Sequence, residues 1–220
     1  MNTIVNTDGQ LRAYNTDYLA VAKLLADHQV PVDHTVAVLG SGGMAKAVVA
    51  ALRDAGFHAG TVVARNALAD QYGYAWRAEV GSSRPQLLVN ATPVGMSGGP
   101  AAEDLPVAPE VVDSAETVFD MVALPALIPL VRRARAQGKQ VIIGTEVIAL
   151  QAAEQFALYT GVRPTDDQVR RPRSSPAHSP TPRVAARAFS SVQDASAVAF
   201  GPRAAPRPCP AGPTGGEYGE

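Results

Sequence analysis

Cysteine is nearly absent from this 220-residue chain: Cys209 stands alone, which excludes an internal disulfide, and no Cys/His cluster carries zinc-ligand spacing. His28, His34, His58 and His178 are scattered and read as surface or loop histidines, so no metal site is expected. An excess of one charge is lacking too. With 19 basic and 20 acidic residues and a formal net charge of −1, no global field draws the chain to nucleic acid or an anionic membrane. No uncharged apolar run reaches the roughly 18 residues that a bilayer span needs. The start, MNTIVNTDGQLRAYNTD, has no basic segment followed by an apolar one. These absences lead to the expectation of a cytoplasmic protein whose partners are small molecules or other proteins. What is present, 46% hydrophobic residues, suits a globular core of one large or two small domains.

Half of the 18 prolines fall after Val169, in a stretch also rich in Arg, Ala, Ser and Gly. Repeated prolines remove backbone donors, and sparse large apolar residues cannot offset the entropy of ordering. Residues 170–220 are therefore expected to be a disordered Pro/Arg/Ala-rich tail, either without a role or binding a partner through its basic residues.

Before the tail, strand-like runs at 36–40, 61–65, 87–90, 117–120 and 140–144 alternate with helical patterns near 16–29, 43–55, 126–137 and 146–160. Residues 74–80 read as an additional short strand. Gly138 and Gly161 stand where the last two helices would be capped. The rhythm implies an α/β fold, a doubly wound parallel sheet with its ligand outside the carboxyl ends of the strands.

The stretch VAVLGSGGMAKAVVAALRDAG, residues 36–56, says most about function. An apolar strand runs into Gly40, Ser41, Gly42 and Gly43, and then into Met44, Ala45 and a helix. Gly40, Gly42 and Ala45 fit G-x-G-x-x-A, the pattern of a dinucleotide cradle: a tight turn, close approach to a pyrophosphate, and close helix–strand packing. The anion then faces the unpaired N–H groups of the helix start. The alternative is an ordinary tight turn between strand and helix. Where an NAD-binding unit places an acidic residue to bind the ribose hydroxyls, this chain has Arg65 and Asn66, which favours NADP. Arg65 could equally cap a strand in solvent. The helix after Asn66 is expected to be unusually short and the grip on the 2′-phosphate correspondingly weak. Asn90 and Thr92, at a strand's carboxyl end, and Pro93, which stops a helix there, stand where a cofactor would cross the sheet.

With NTIVNTDGQLRAYNTD, GSGGMAKA, ARN, NATPVGM, FDMVALP and GTEVIALQAAEQFALYTG in this order, the chain resembles the shikimate dehydrogenase family, especially its shikimate-dehydrogenase-like branch, over residues 1 to about 169. The resemblance implies a Rossmann-type NADP-binding domain at 31–169, preceded at 1–30 by a linking helix and a substrate-site segment. It also implies the NADPH-dependent reduction of 3-dehydroshikimate to shikimate, a step in aromatic amino-acid biosynthesis. Asn2 matches an asparagine that contacts a substrate hydroxyl, Asp17 the catalytic aspartate, and Gln151 a substrate-contacting glutamine. Asn90, Thr92 and Pro93 match a segment bordering the dinucleotide. Asp120 and Met121 match a strand end near the nicotinamide, and Gly144 a glycine beside the nicotinamide amide. From the residues alone, Asn15, Thr16 and Asp17 read equally well as a helix N-cap, and Gln151 as a solvated helix position.

The family's substrate-binding domain, with the lysine that partners the aspartate, has no counterpart upstream of Asn2, and Lys23, Lys46 and Lys139 sit in other contexts. Ala123 replaces a usual tyrosine, and Val147 and Ile148 a methionine–leucine step. A truncated chain with impaired activity is therefore expected, and an NADP-binding module or gene fragment without turnover is the alternative. The apolar stripes Leu19, Leu24, Leu25 and Ile148, Phe156, Leu158 would then be exposed, allowing a homodimer through these helices.

Overall fold

The computed structural model describes residues 1–65 and 73–170. Asn66, His178, Cys209 and the proline-rich segment from 171 onward lie outside them. A hairpin of β1 (Thr3–Thr7) and β2 (Gln10–Tyr14) turns through Asp8 and Gly9, both at positive φ. Next comes α1 (Thr16–Asp27), capped by Asn15, whose side chain accepts from the N–H of Tyr18.

The main sheet follows, with β3 (Val36–Leu39), β4 (Gly60–Val63), β5 (Ala75–Arg77), β6 (Leu87–Asn90), β7 (Thr117–Asp120) and β8 (Gln140–Ile142). All neighbours pair in parallel, in the order β5-β4-β3-β6-β7-β8. The chain winds outward from β3 to β5, returns beside β3 as β6, and winds the other way to β8. That reversal opens a crevice at the carboxyl ends of β3 and β6, the place where doubly wound sheets bind ligands.

Parallel strands are buried on both faces, which is why β3 is wholly apolar and β6 and β7 are largely so, each of these two ending in a polar residue. On one face, Val38, Val62, Leu87, Val89 and Phe119 pack against α1, α2 (Gly43–Asp54) and the start of α5 (Gly144–Thr160). On the other, Ala37, Leu39, Leu88 and Val118 pack against α3 (Pro109–Ser114) and α4 (Pro129–Ala136). A short α6 (Asp166–Arg170) closes the described chain.

Several boundaries differ from the sequence reading. The fourth helix starts at Pro129 rather than 126, because proline at the first helical position sacrifices no hydrogen bond. The last strand stops at Ile142, and Gly144 opens α5. The hairpin, α3 and α6 were not anticipated. Leu24 and Leu25 are buried in the first cluster rather than forming an exposed stripe, whereas Leu19, Ile148 and Phe156 stay substantially exposed. His34 is also not a surface residue: it is 5% exposed, with Nε2 3.4 Å from Glu116.

At the carboxyl edge Asn90 and Asp120 stand opposite one another on β6 and β7, both fully buried. Asn90 Nδ2 donates to Asp120 Oδ1 at 2.8 Å, while Asp120 Oδ2 is buried without a partner among the described residues. Burial pushes the Asp120 carboxyl up to about 7, against the smaller opposing pull of the Asn90 amide and the nearby Val122 and Met121 N–H groups.

Two outcomes follow for stability. Leu88→Ala, at the centre of the sheet, should lower unfolding free energy by about 2–5 kcal/mol in urea titrations. The raised Asp120 pKa means that the folded chain holds a proton which the unfolded chain releases near pH ~4. Its contribution to stability is therefore fully present below that pH and lost as pH climbs through about 7. Asp120→Asn, which keeps an oxygen for Asn90, should remove this decline, worth up to about 4 kcal/mol, from the pH dependence of unfolding.

Candidate functional site

The turn after β3 carries the most constrained backbone at the crevice. Gly40 has φ +105°, and a β-carbon there would lie 2.8 Å from the carbonyl oxygen of Ala91, so the turn and the segment after β6 pass nearly in contact. Glycine at 40 thus serves the packing of two loops as well as a turn. Gly42 differs: its φ is −74°, and a β-carbon there would meet nothing within 4 Å. It is the N-cap of α2 and supplies no side-chain cap, so the first N–H groups of α2, at Gly43, Met44 and Ala45, face an open approach. Ala45 is buried against the sheet and Met44 packs on the same cluster, while Ser41 is partly exposed. The open glycine, the uncapped amides and the positive dipole end of a twelve-residue helix make a place that could hold an anion such as the diphosphate of a dinucleotide.

The segment after β6 lines the other side. Asn90 Oδ1 accepts from the Thr92 N–H at 3.2 Å and from Thr92 Oγ1 at 2.6 Å, and Thr92 Oγ1 in turn accepts from the Val94 N–H. Asp120, Asn90 and Thr92 therefore form a relay that holds the Ala91–Gly95 loop in one shape. Pro93 is exposed on it.

Farther along the edge the Met121 N–H donates to Asn90 O, extending the β6–β7 ladder by one residue. A β-carbon at Gly144 would lie 2.4 Å from Val122 O and 2.7 Å from Met121 O. The close approach that glycine permits at 144 is thus to the chain itself. Arg65 is exposed just past β4. The fold thus sets Gly40 to Ala45, Arg65, Asn90, Thr92, Pro93, Met121 and Gly144 along one edge of one sheet, and Asn66 lies outside the described residues.

A second group forms where the hairpin meets α1. Asn2 Oδ1 accepts from the Thr16 N–H at 3.0 Å, from Thr16 Oγ1 and from Thr3 Oγ1, tying the chain start to the first turn of α1. Beside it, Asp17 is partly buried with its Oδ1 unpartnered, and burial raises its pKa against the opposing effects of the Asn2 side chain and the N-terminal amine. Gln155 Nε2 donates to Thr3 Oγ1, so α5 packs on this corner, and Gln151 lies one turn earlier on that helix. Sequence reasoning missed Thr3 and Gln155 and read Thr16 only as part of a helix start; their roles here come from contacts between distant segments, which no local motif records.

None of the three lysines pairs with Asp17. Lys23 binds Asp27 at 3.1 Å and approaches Asp166 at 3.9 Å, Lys139 donates to the carbonyls of Asp113 and Ala115, and Lys46 is exposed on α2. A cavity of about 620 Å³ between α1, α5 and α6 is lined by none of the candidate residues, and its charges are paired, His28 with Glu146 and Lys23 with Asp27. Among the described residues no group of three or more His, Cys, Asp or Glu could hold a metal ion, and no helix is long and apolar enough to cross a membrane.

No family model matches the chain. Individual relatives do. A shikimate dehydrogenase-like protein of Haemophilus influenzae is 47% identical over 174 residues, covering 77% of this chain and 64% of that protein. The shikimate dehydrogenase (NADP(+)) of Ignicoccus hospitalis is 34% identical over 170 residues, covering 74% of this chain and 63% of that one. Among solved structures, a shikimate 5-dehydrogenase-like protein superimposes with a TM-score of 0.72 at 47% identity, covering 76% of this chain and 64% of that one. Shikimate 5-dehydrogenase of Thermus thermophilus, in complex with NADP(H) and shikimate, does so with a TM-score of 0.67 at 31% identity, covering 76% and 64%. The chain thus spans a little under two thirds of the length of these relatives. Over about three quarters of its own length, this chain is similar to the shikimate dehydrogenase-like proteins and to the shikimate dehydrogenases.

Proposed function

We propose that this chain binds NADP(H) along the carboxyl edge of its sheet and carries the nucleotide-binding part of an oxidoreductase of the shikimate dehydrogenase type, acting on 3-dehydroshikimate or shikimate. The observation that carries the reading is the open, uncapped start of α2 behind Gly42, set beside the Asn90–Thr92 relay. Gly43, Met44 and Ala45 would hold the diphosphate through their N–H groups, Arg65 the 2′-phosphate, and Met121 and Gly144 would border the nicotinamide. A bound nicotinamide supplies or accepts hydride. Asp17 would act on the substrate hydroxyl as the acid: burial raises its pKa, the direction an acid catalyst requires, and its Oδ1 is buried without a partner among the described residues. Asn2 holds that corner through Thr16. The localisation in keeping with this chemistry is cytoplasmic.

A second reading, nucleotide binding without turnover, is favoured by one observation: no lysine among the described residues stands with Asp17 to share the proton transfer. An absorbance assay with NADPH and 3-dehydroshikimate separates the two. Turnover that Asp17→Asn cuts about 10²- to 10⁴-fold supports the oxidoreductase, and NADPH binding with no turnover above that of Asp17→Asn supports the binding module.

The cradle has its own test. Gly42→Asp places a good N-cap at α2 in open space, so the unfolding midpoint should hold or rise, while its carboxylate competes with the diphosphate for the same N–H groups. NADPH affinity measured by calorimetry should fall about tenfold or more. Unchanged affinity would remove the diphosphate from this helix.

A further inference from the structure

We infer that Arg77 is a second guanidinium for the 2′-phosphate of the bound nucleotide, acting with Arg65 to select phosphorylated over unphosphorylated ribose. The inference rests on the reading of the carboxyl edge as an NADP(H) site and adds to it a specificity residue from a different strand.

Arg77 ends β5, the edge strand, and is register partner to Val63 at the end of β4. The ladder continues one step further: the Ala64 N–H donates to Arg77 O at 3.1 Å, and the indole Nε1 of Trp76 donates to Ala64 O at 2.9 Å. The residue preceding Arg65 is thus held through both its backbone groups by Trp76 and Arg77. Strand alternation sets the side-chain faces. Val62 and Ala64 belong to the cluster beneath α1 and α2, and Val63 packs on the opposite cluster. Register partners in a parallel pair share a face, so Arg77 leaves the sheet on the side of Val63, and Arg65 follows two residues later at the same end of the sheet.

Both arginines are exposed, and neither side chain has a hydrogen bond or ion pair among the described residues. Among the other arginines Arg132, Arg133 and Arg163 are each paired with a carboxylate, while the exposed Arg12, Arg84 and Arg135 are not. A 2′-phosphate at neutral pH carries nearly two negative charges and three acceptor oxygens. One guanidinium meets two of those oxygens in a bidentate pair, and a second meets the remaining oxygen and charge. The eleven residues between Arg65 and Arg77 hide the pairing from any local motif; the β4–β5 ladder creates it.

Calorimetric titration of the full chain with NADP⁺ and NAD⁺ tests this, using wild type, Arg65→Ala, Arg77→Ala and Arg77→Lys. Arg77→Ala should weaken NADP⁺ about tenfold and leave NAD⁺ within about twofold, with Arg77→Lys intermediate because an ammonium cannot form the fork. Retained NAD⁺ affinity serves as the folding control. NADP⁺ affinity unchanged in Arg77→Ala while Arg65→Ala loses it would overturn the role of Arg77 and leave the NADP(H) site standing. Parallel loss of both nucleotides in Arg77→Ala would make the residue structural and equally overturn the inference. A wild-type chain that binds the two nucleotides alike, with Arg65→Ala unchanged, would overturn the NADP(H) reading and this inference together.

Discussion

Parallel pairing of β3 with β6 is the constraint from which the rest of this molecule follows. Its register, from Val36 opposite Leu87 to Leu39 opposite Asn90, brings the turn at Gly40 level with the segment starting at Ala91. The two segments are then so close that a side chain at position 40 would meet the Ala91 carbonyl. Because the winding reverses between these strands, nothing in the sheet crosses above them, and the helix start at Gly43 faces open space. A buried apolar sheet and an open crevice at its carboxyl edge are thus two consequences of one pairing.

The polar residues at the strand ends show how the edge keeps its shape. A buried amide or carboxyl without a partner costs more than a formed hydrogen bond returns, so buried polar groups at a rim come in pairs. Asn90 uses both ends of its amide, one on Asp120 and the other on Thr92, and so couples β6 to β7 and to the loop that follows. Asp120 retains an unpartnered buried oxygen, and the protein meets that cost by holding the carboxyl protonated to higher pH than an exposed aspartate.

The main strands and helices were legible in the sequence because their signals are local. Continuous apolar runs such as LLVN and TVFD mark strands buried on two faces, and Gly161, at φ +73°, caps α5 where the apolar pattern stops. The hairpin was not legible. Its residues are mostly exposed and lack an alternating pattern, and it is set by a turn at Asp8–Gly9 rather than by burial. His34 lies in a loop, one of the two places the sequence reading gave it, but its burial, with Glu116 3.4 Å from Nε2, has no local sign in a lone histidine.

The candidate site divides in the same way. Chemistry that resides in a few consecutive residues, the glycine turn running into α2 or Asn90 followed by Thr92, was written in the sequence, because backbone freedom and helix ends are properties of short segments. Which distant groups share a surface was decided by the tertiary structure alone: Asp120 with Asn90, Asn2 with Thr16, Gly144 against Val122, Arg77 beside Ala64. Those pairs depend on strand order and register, and burial of the whole apolar sheet sets both, so no single window of residues contains them.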